Sequence, residues 1–237
     1  MQLLSVGLAR SIWLFDINEL NPTGKSIFPE IFTWLGEKYS FQAFPKSIAE
    51  MDQEKKGYLF KAGQFQTDED AINVNFSIYN DGLVAETWAS TEKGDLFLED
   101  ISRSAITKFG LTKPTTVRKQ YISEVVVRLD HPLSNLNSKL AHFCGTLNGV
   151  FSKHHLSPFE PTGIIFAPDT SASAYKPPGL LIERKTGVPF SENRFWSKAP
   201  FTTKEHISAL EEFEKLLAAS IEHAAPQTWG NPIPPPR

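Results

Sequence analysis

The sequence predicts an α+β fold, a mostly antiparallel sheet covered by helices, arranged as two similar βαββα halves from a degenerate duplication. Three observations predict it. Ile72, Val74, Phe76 and Ile78 alternate with polar residues, reach Asn80-Asp81-Gly82, and a second run returns from Leu83. That is a hairpin, because Asn, Asp and Gly accept the positive φ that a tight turn needs. Apolar residues recur three or four apart in several other segments, as amphipathic helices require. The order strand, helix, strands, helix then broadly repeats after a break at 112–116, where Pro114 stands among threonines. Hairpins mixed with helices indicate α+β and not a doubly wound parallel sheet.

The elements follow in order. The apolar run at 9–17 predicts a strand, and the Asn, Pro and Gly cluster at 18–24 a loop. Ser26 can cap a helix whose first turn tolerates Pro29, and Ile31, Phe32 and Leu35 carry that helix over 27–39. The charged stretch 45–56 reads as an exposed connection. After the hairpin, Asp95 can cap a helix with Leu96, Ile101, Ala105 and Phe109 along one face, and Gly110 suits its left-handed end. In the second half, the β-branched run 122–129 predicts a strand, ended by Asp130-His131-Pro132. Leu136, Leu140, Phe143, Leu147 and Phe151 predict a helix. Short apolar strands are expected at 163–167 and 179–182. Thr202 and Glu205 have the spacing of a capping box before a final helix through Leu210, Phe213 and Leu217. The halves are thus 1–111 and 117–225, followed by a Pro-rich tail at 226–237.

Composition narrows function by exclusion. The chain has 237 residues, with 41% hydrophobic and 22% charged, so it can bury a sizeable core and is neither disordered nor coiled-coil. Lys plus Arg is 24 and Asp plus Glu 27, a net charge of −3, which builds no protein-wide positive field to gather nucleic acid or acidic membrane. Cys144 is the single cysteine, so no intramolecular disulfide forms, and a reducing, cytoplasmic setting is expected. Arg10 interrupts the modest apolar stretch at the N-terminus, which does not read as a signal peptide. No run approaches a bilayer span. Phe is unusually common, at 18 against 5 Tyr and 5 Trp, which predicts a Phe-packed core.

Two segments carry functional expectations. In 189–201, three Phe and Trp196 interleave with Arg194 and Lys198. Aromatic residues among cations form protein-interface anchors, and Arg194, Phe195, Trp196 and Lys198 are the expected binding residues. The principal reading is therefore a non-catalytic protein-binding module, an accessory or immunity-type neutralising subunit without a cofactor. The second segment places Asp169 after one short strand and Glu183-Arg184-Lys185 at the end of the next. This resembles the signature of the restriction-endonuclease-like nucleases. The resemblance implies Mg²⁺ held by Asp169 and Glu183, with Lys185 acting on the attacking water, and nucleic acid as substrate. The same triplet also suits ordinary surface charge at a strand end. A second one, Glu54-Lys55-Lys56, occurs without a strand before it. His206, in the first turn of the last helix, is expected to face solvent.

Overall fold

The computed structural model describes residues 1–24, 28–46, 57–154, 159–169 and 178–222. The expected tail and the triplet at 54–56 lie outside them. The first half runs β1 (Gln2–Leu14), α1 (Phe28–Lys38), β2 (Tyr58–Gln66), β3 (Ala71–Tyr79), β4 (Gly82–Thr87) and α2 (Thr91–Phe109). The second runs β5 (Arg118–Arg128), α3 (Ser138–Phe151), β6 (Gly163–Phe166), β7 (Leu180–Arg184), β8 (Arg194–Ala199) and α4 (Thr203–Glu222). All eight strands join one antiparallel sheet in the order β2-β3-β4-β1-β5-β8-β7-β6. Exchanging each strand for its counterpart in the other half reads that order backwards. The fold is α+β with two similar halves, and each is βαβββα, one strand richer than the sequence reading.

The missing strands have physical causes. β2 carries a bulge between Phe60 and Gly63, with Ala62 at φ 53, and a bulge breaks the period-two pattern. β8 has only Phe195 as a large apolar residue on its buried face, beside Ser197 and Ala199, so its alternation is weak. β1 starts at Gln2, well before the expected 9–17, because bulges between Leu3 and Ser5 and between Val6 and Leu8 break the alternation of its first residues. The helix expected to begin at Asp95 begins a turn earlier. Ser90 caps it by accepting from the Lys93 backbone N–H. Gly110 ends it at φ 64 as expected. The capping box also forms: the Glu205 amide donates to Thr202 Oγ1 at 3.2 Å, and the Thr202 amide to Glu205 Oε2 at 3.1 Å.

Each half has its own core beneath the shared sheet. In the first, Phe32, Phe41, Phe60, Phe76 and Phe97 pack edge to face or tilted against one another, and this is where the phenylalanines go. The second is smaller, built on Val125, Val127, Ile182, Phe195, Leu210 and Leu217. α1 buries Ile31, Phe32 and Leu35, whereas its counterpart α3 buries no residue and leaves Phe143 and Leu140 exposed.

The two halves meet on a pseudo-twofold. β1 and β5 pair from Gln2–Arg128 to Leu14–Arg118. Beside that ladder, the first residues of α2 and α4 exchange hydrogen bonds. The Thr91 amide donates to Thr203 Oγ1 at 3.0 Å, and the Thr203 amide to Thr91 Oγ1 at 2.7 Å, 112 positions apart and fully buried. The same spacing relates Ser11 to Ser123, both buried on the helix side, and the cap Ser90 to the cap Thr202. A buried amide without a partner costs about 1–3 kcal/mol. Thr203→Val should therefore lower stability by about that amount in urea unfolding, and Thr91→Val similarly. A loss within the ~0.5 kcal/mol typical of neutral surface changes would show that these contacts do not join the halves.

Candidate functional site

Alternation along each strand sends one set of side chains under the helices and the other to the opposite face. On β1, β3, β5 and β8 the helix-facing residues are buried, while their neighbours are half-buried or exposed. Among the described residues, no helix packs on that second face. It is open, and it carries the site.

Leu8 and Ile12 of β1, Ile122 and Val126 of β5, Trp196 of β8 and Leu181 of β7 put apolar surface along the middle of this face. Charges frame it, and several are paired across strands. Arg10 holds Glu86 at 2.5 Å, and Asn75 reaches the same carboxylate at 3.5 Å. Lys198 holds Glu124 at 2.8 Å. A shallow pocket over the first half is lined by Arg10, Ile12, Lys61, Asn75, Tyr79 and Glu86. Near one end, Arg128 and Arg194 stand directly opposite each other in the β5–β8 ladder. Arg194 also pairs with Glu192 at 2.7 Å. Like charges directly opposite destabilise a sheet, so this position favours an added anion.

Of the four expected binding residues, Arg194, Trp196 and Lys198 share this face. Phe195 does not: it points the other way and is fully buried in the second core. The expectation for Phe195 is corrected by the strand's period of two, because Arg194–Ala199 within this segment forms β8.

The acids expected at a metal are placed apart. β6 and β7 run antiparallel, with Glu183 opposite Gly163 and Phe166 opposite Leu180. Asp169 follows Phe166 by three residues, so it lies past the far end of a ladder about 10 Å long. The register does not bring Asp169 to Glu183. Glu183 and Lys185 are both exposed, and the Lys185 amide closes on the Arg194 carbonyl at 2.9 Å. Among the described residues, no group of three or more His, Cys, Asp or Glu is arranged to hold a metal ion. Arg184, between them in sequence, is the buried one at 7% exposure. Its guanidinium lies over the rings of Phe190 and Phe195, donates to the Phe190 carbonyl at 3.0 Å and pairs with Glu160 at 2.8 Å. Burial pulls its pKa below the ordinary value, and Glu160 opposes that shift. It is a structural clamp from β7 to the 189–192 turn.

His206 is likewise not at the surface. It is fully buried between α4 and the sheet, where Gly94 stands at the equivalent place in the first half and a Cβ would lie 2.9 Å from Ser11 Oγ. Ser197 Oγ donates to the Leu181 carbonyl at 2.7 Å. It must therefore accept from His206 Nε2, at 2.8 Å. Nδ1 then accepts from Ser123 Oγ at 3.1 Å. This neutral, fully bonded ring has no exposed nucleophile beside it, and its role is packing.

No family model matches the chain, and no curated protein matches it. Among solved structures it is similar to Methanococcus jannaschii TBP, at 12% identity and a TM-score of 0.43, over 92% of this chain and 98% of that one. No helix among the described residues is long and apolar enough to cross a membrane.

The buried imidazole sets a pH dependence. Burial pulls its pKa down from 6.5 to about 4. The unfolded chain therefore binds the extra proton first as pH falls. The stability that His206 contributes is complete above pH 6.5, declines between 6.5 and about 4, and then levels off. The loss is on the order of 3 kcal/mol. His206→Asn should show a shallower fall in urea-unfolding stability over that window than the wild type. Equal slopes would mean that the imidazole is not held neutral.

Proposed function

We propose that this chain is a non-catalytic protein-binding module, an accessory or neutralising (immunity-type) subunit that engages another protein through the open face of its sheet. Trp196 is the anchor, with Arg194 and Lys198 beside it. The observation that carries this reading is the open face itself: a sheet with helices on one side and a framed apolar strip on the other. The six apolar side chains of the strip are half-buried; apolar surface rimmed by polar groups marks interaction sites, and Trp and Arg dominate binding hot spots. The charges favour a protein over nucleic acid as partner. Arg10 and Lys198 are already neutralised by Glu86 and Glu124, and Glu183 lies on the same face, so no unbroken positive track follows the sheet as a phosphate backbone would require. The opposed Arg128 and Arg194 set two cations against the single Glu192 carboxylate, and the remaining positive charge suits a carboxylate of the partner.

The test is site-directed photo-cross-linking in the native host. A photoreactive residue at Ile122 or Leu181 should capture a discrete protein, and one at Lys204 or Glu211 on the helix side should not. With the captured partner in hand, Trp196→Ala should weaken binding by roughly 30-fold or more without changing the unfolding midpoint. Capture from the helix side only, or full affinity in Trp196→Ala, would overturn the proposal.

A further inference from the structure

The sheet has two edges, and the halves treat them differently. β2 ends the sheet on one side. Its outer rim is covered by the segment after α1: the Lys61 amide donates to the Ala43 carbonyl at 2.8 Å, and the Gln42 amide to the Lys61 carbonyl at 3.1 Å. The bulge at Ala62 and the side chain of Lys61 further blunt that rim. These are the devices by which sheets avoid pairing edge to edge.

β6, its counterpart, ends the other side. Among the described residues nothing pairs with its outer rim. The Arg184 amide bonds the Thr162 carbonyl, which fixes the phase of the β6–β7 ladder. Thr162, Ile164 and Phe166 turn their backbone groups toward β7, and Gly163 and Ile165 turn theirs outward. From Pro161 to Pro168 there is no charged side chain. Ile165 is 69% exposed and Phe166 49%.

We infer that this rim is a homodimer edge, taking the β6 strand of a second copy in antiparallel register about Ile164. The geometry is self-complementary. A twofold through Ile164 sets Gly163 opposite the partner's Ile165, and those are the residues whose amides and carbonyls point outward. Each can exchange both hydrogen bonds with its opposite. The Ile165 side chain then lies beside a glycine, which leaves room for it, and the two Ile164 side chains meet on the helix side. The uncharged stretch opposes no like charges. Such a twofold stands perpendicular to the sheet, so the two sheets become one and both open faces look the same way. The β1–β5 ladder already joins the halves of one chain by the same kind of operation.

Three variants and one native measurement test this. In sedimentation equilibrium, the wild-type chain should rise from monomer toward twice its mass as concentration increases, and Ile165→Lys, at an exposed position, should stay monomeric with an unchanged unfolding midpoint. Ile164→Cys in a Cys144→Ser background should form a disulfide-linked dimer on mild oxidation, since the two copies of Ile164 would be a non-hydrogen-bonded pair with Cα atoms about 4.5 Å apart, within the roughly 4.4–6.8 Å that a disulfide bridges. A chain that is monomeric at every concentration and unlinked through Ile164→Cys would overturn the inference. So would a dimer that survives Ile165→Lys but is lost in Phe143→Lys, which would place the contact on α3.

Discussion

The ladder between β1 and β5 is the constraint on which the rest of this molecule depends. It fuses two half-sheets, each too narrow to present a broad surface, into one eight-stranded sheet. Because the join is antiparallel about a pseudo-twofold, the helices of both halves fall on the same side. The reciprocal Thr91–Thr203 hydrogen bonds then lock the starts of α2 and α4 together where a misregistered join would strand two buried amides. One face of the sheet is filled as a consequence, and the other is left open across both halves.

The halves have diverged around that common frame. The first fills its core with interlocking phenylalanines and covers its outer strand. The second has a smaller core, an unburied α3 and an outer rim that no described residue covers. Gly94 and His206 show the divergence at one position. The first half closes helix against strand with no side chain at all, and the second inserts an imidazole bonded at both nitrogens to serines. The surfaces left exposed by this asymmetry lie in the second half, as do Trp196 and Arg194.

Much of the fold was legible in the sequence. The 72–88 hairpin, Gly110 and the Thr202–Glu205 box are local signals, and local signals survive into the structure. β2 and β8 were not legible, one because a bulge shifts its phase and the other because small residues carry its buried face. The site was partly legible. Trp196 and its cations stood out by composition, but the strand at Arg194–Ala199 decided which of them could meet a partner, and Phe195 fell on the wrong side. The burial of Arg184 and His206 had no local signal, since a charged or titratable side chain in a short strand or a first helical turn is ordinarily solvated. The separation of Asp169 from Glu183 depends on the direction of one strand pair, which spacing alone does not encode.

The most direct test of the central claim is the accessibility of the two faces in the full chain. In a Cys144→Ser background, single cysteines at the half-buried Ile122 and Leu181 should react with a bulky maleimide, while cysteines at the buried Val125 and Ser11 should be protected. Protection of Ile122 and Leu181 as strong as that of Val125 would mean that the face is covered in the free protein, and that it is a second core and not a binding surface.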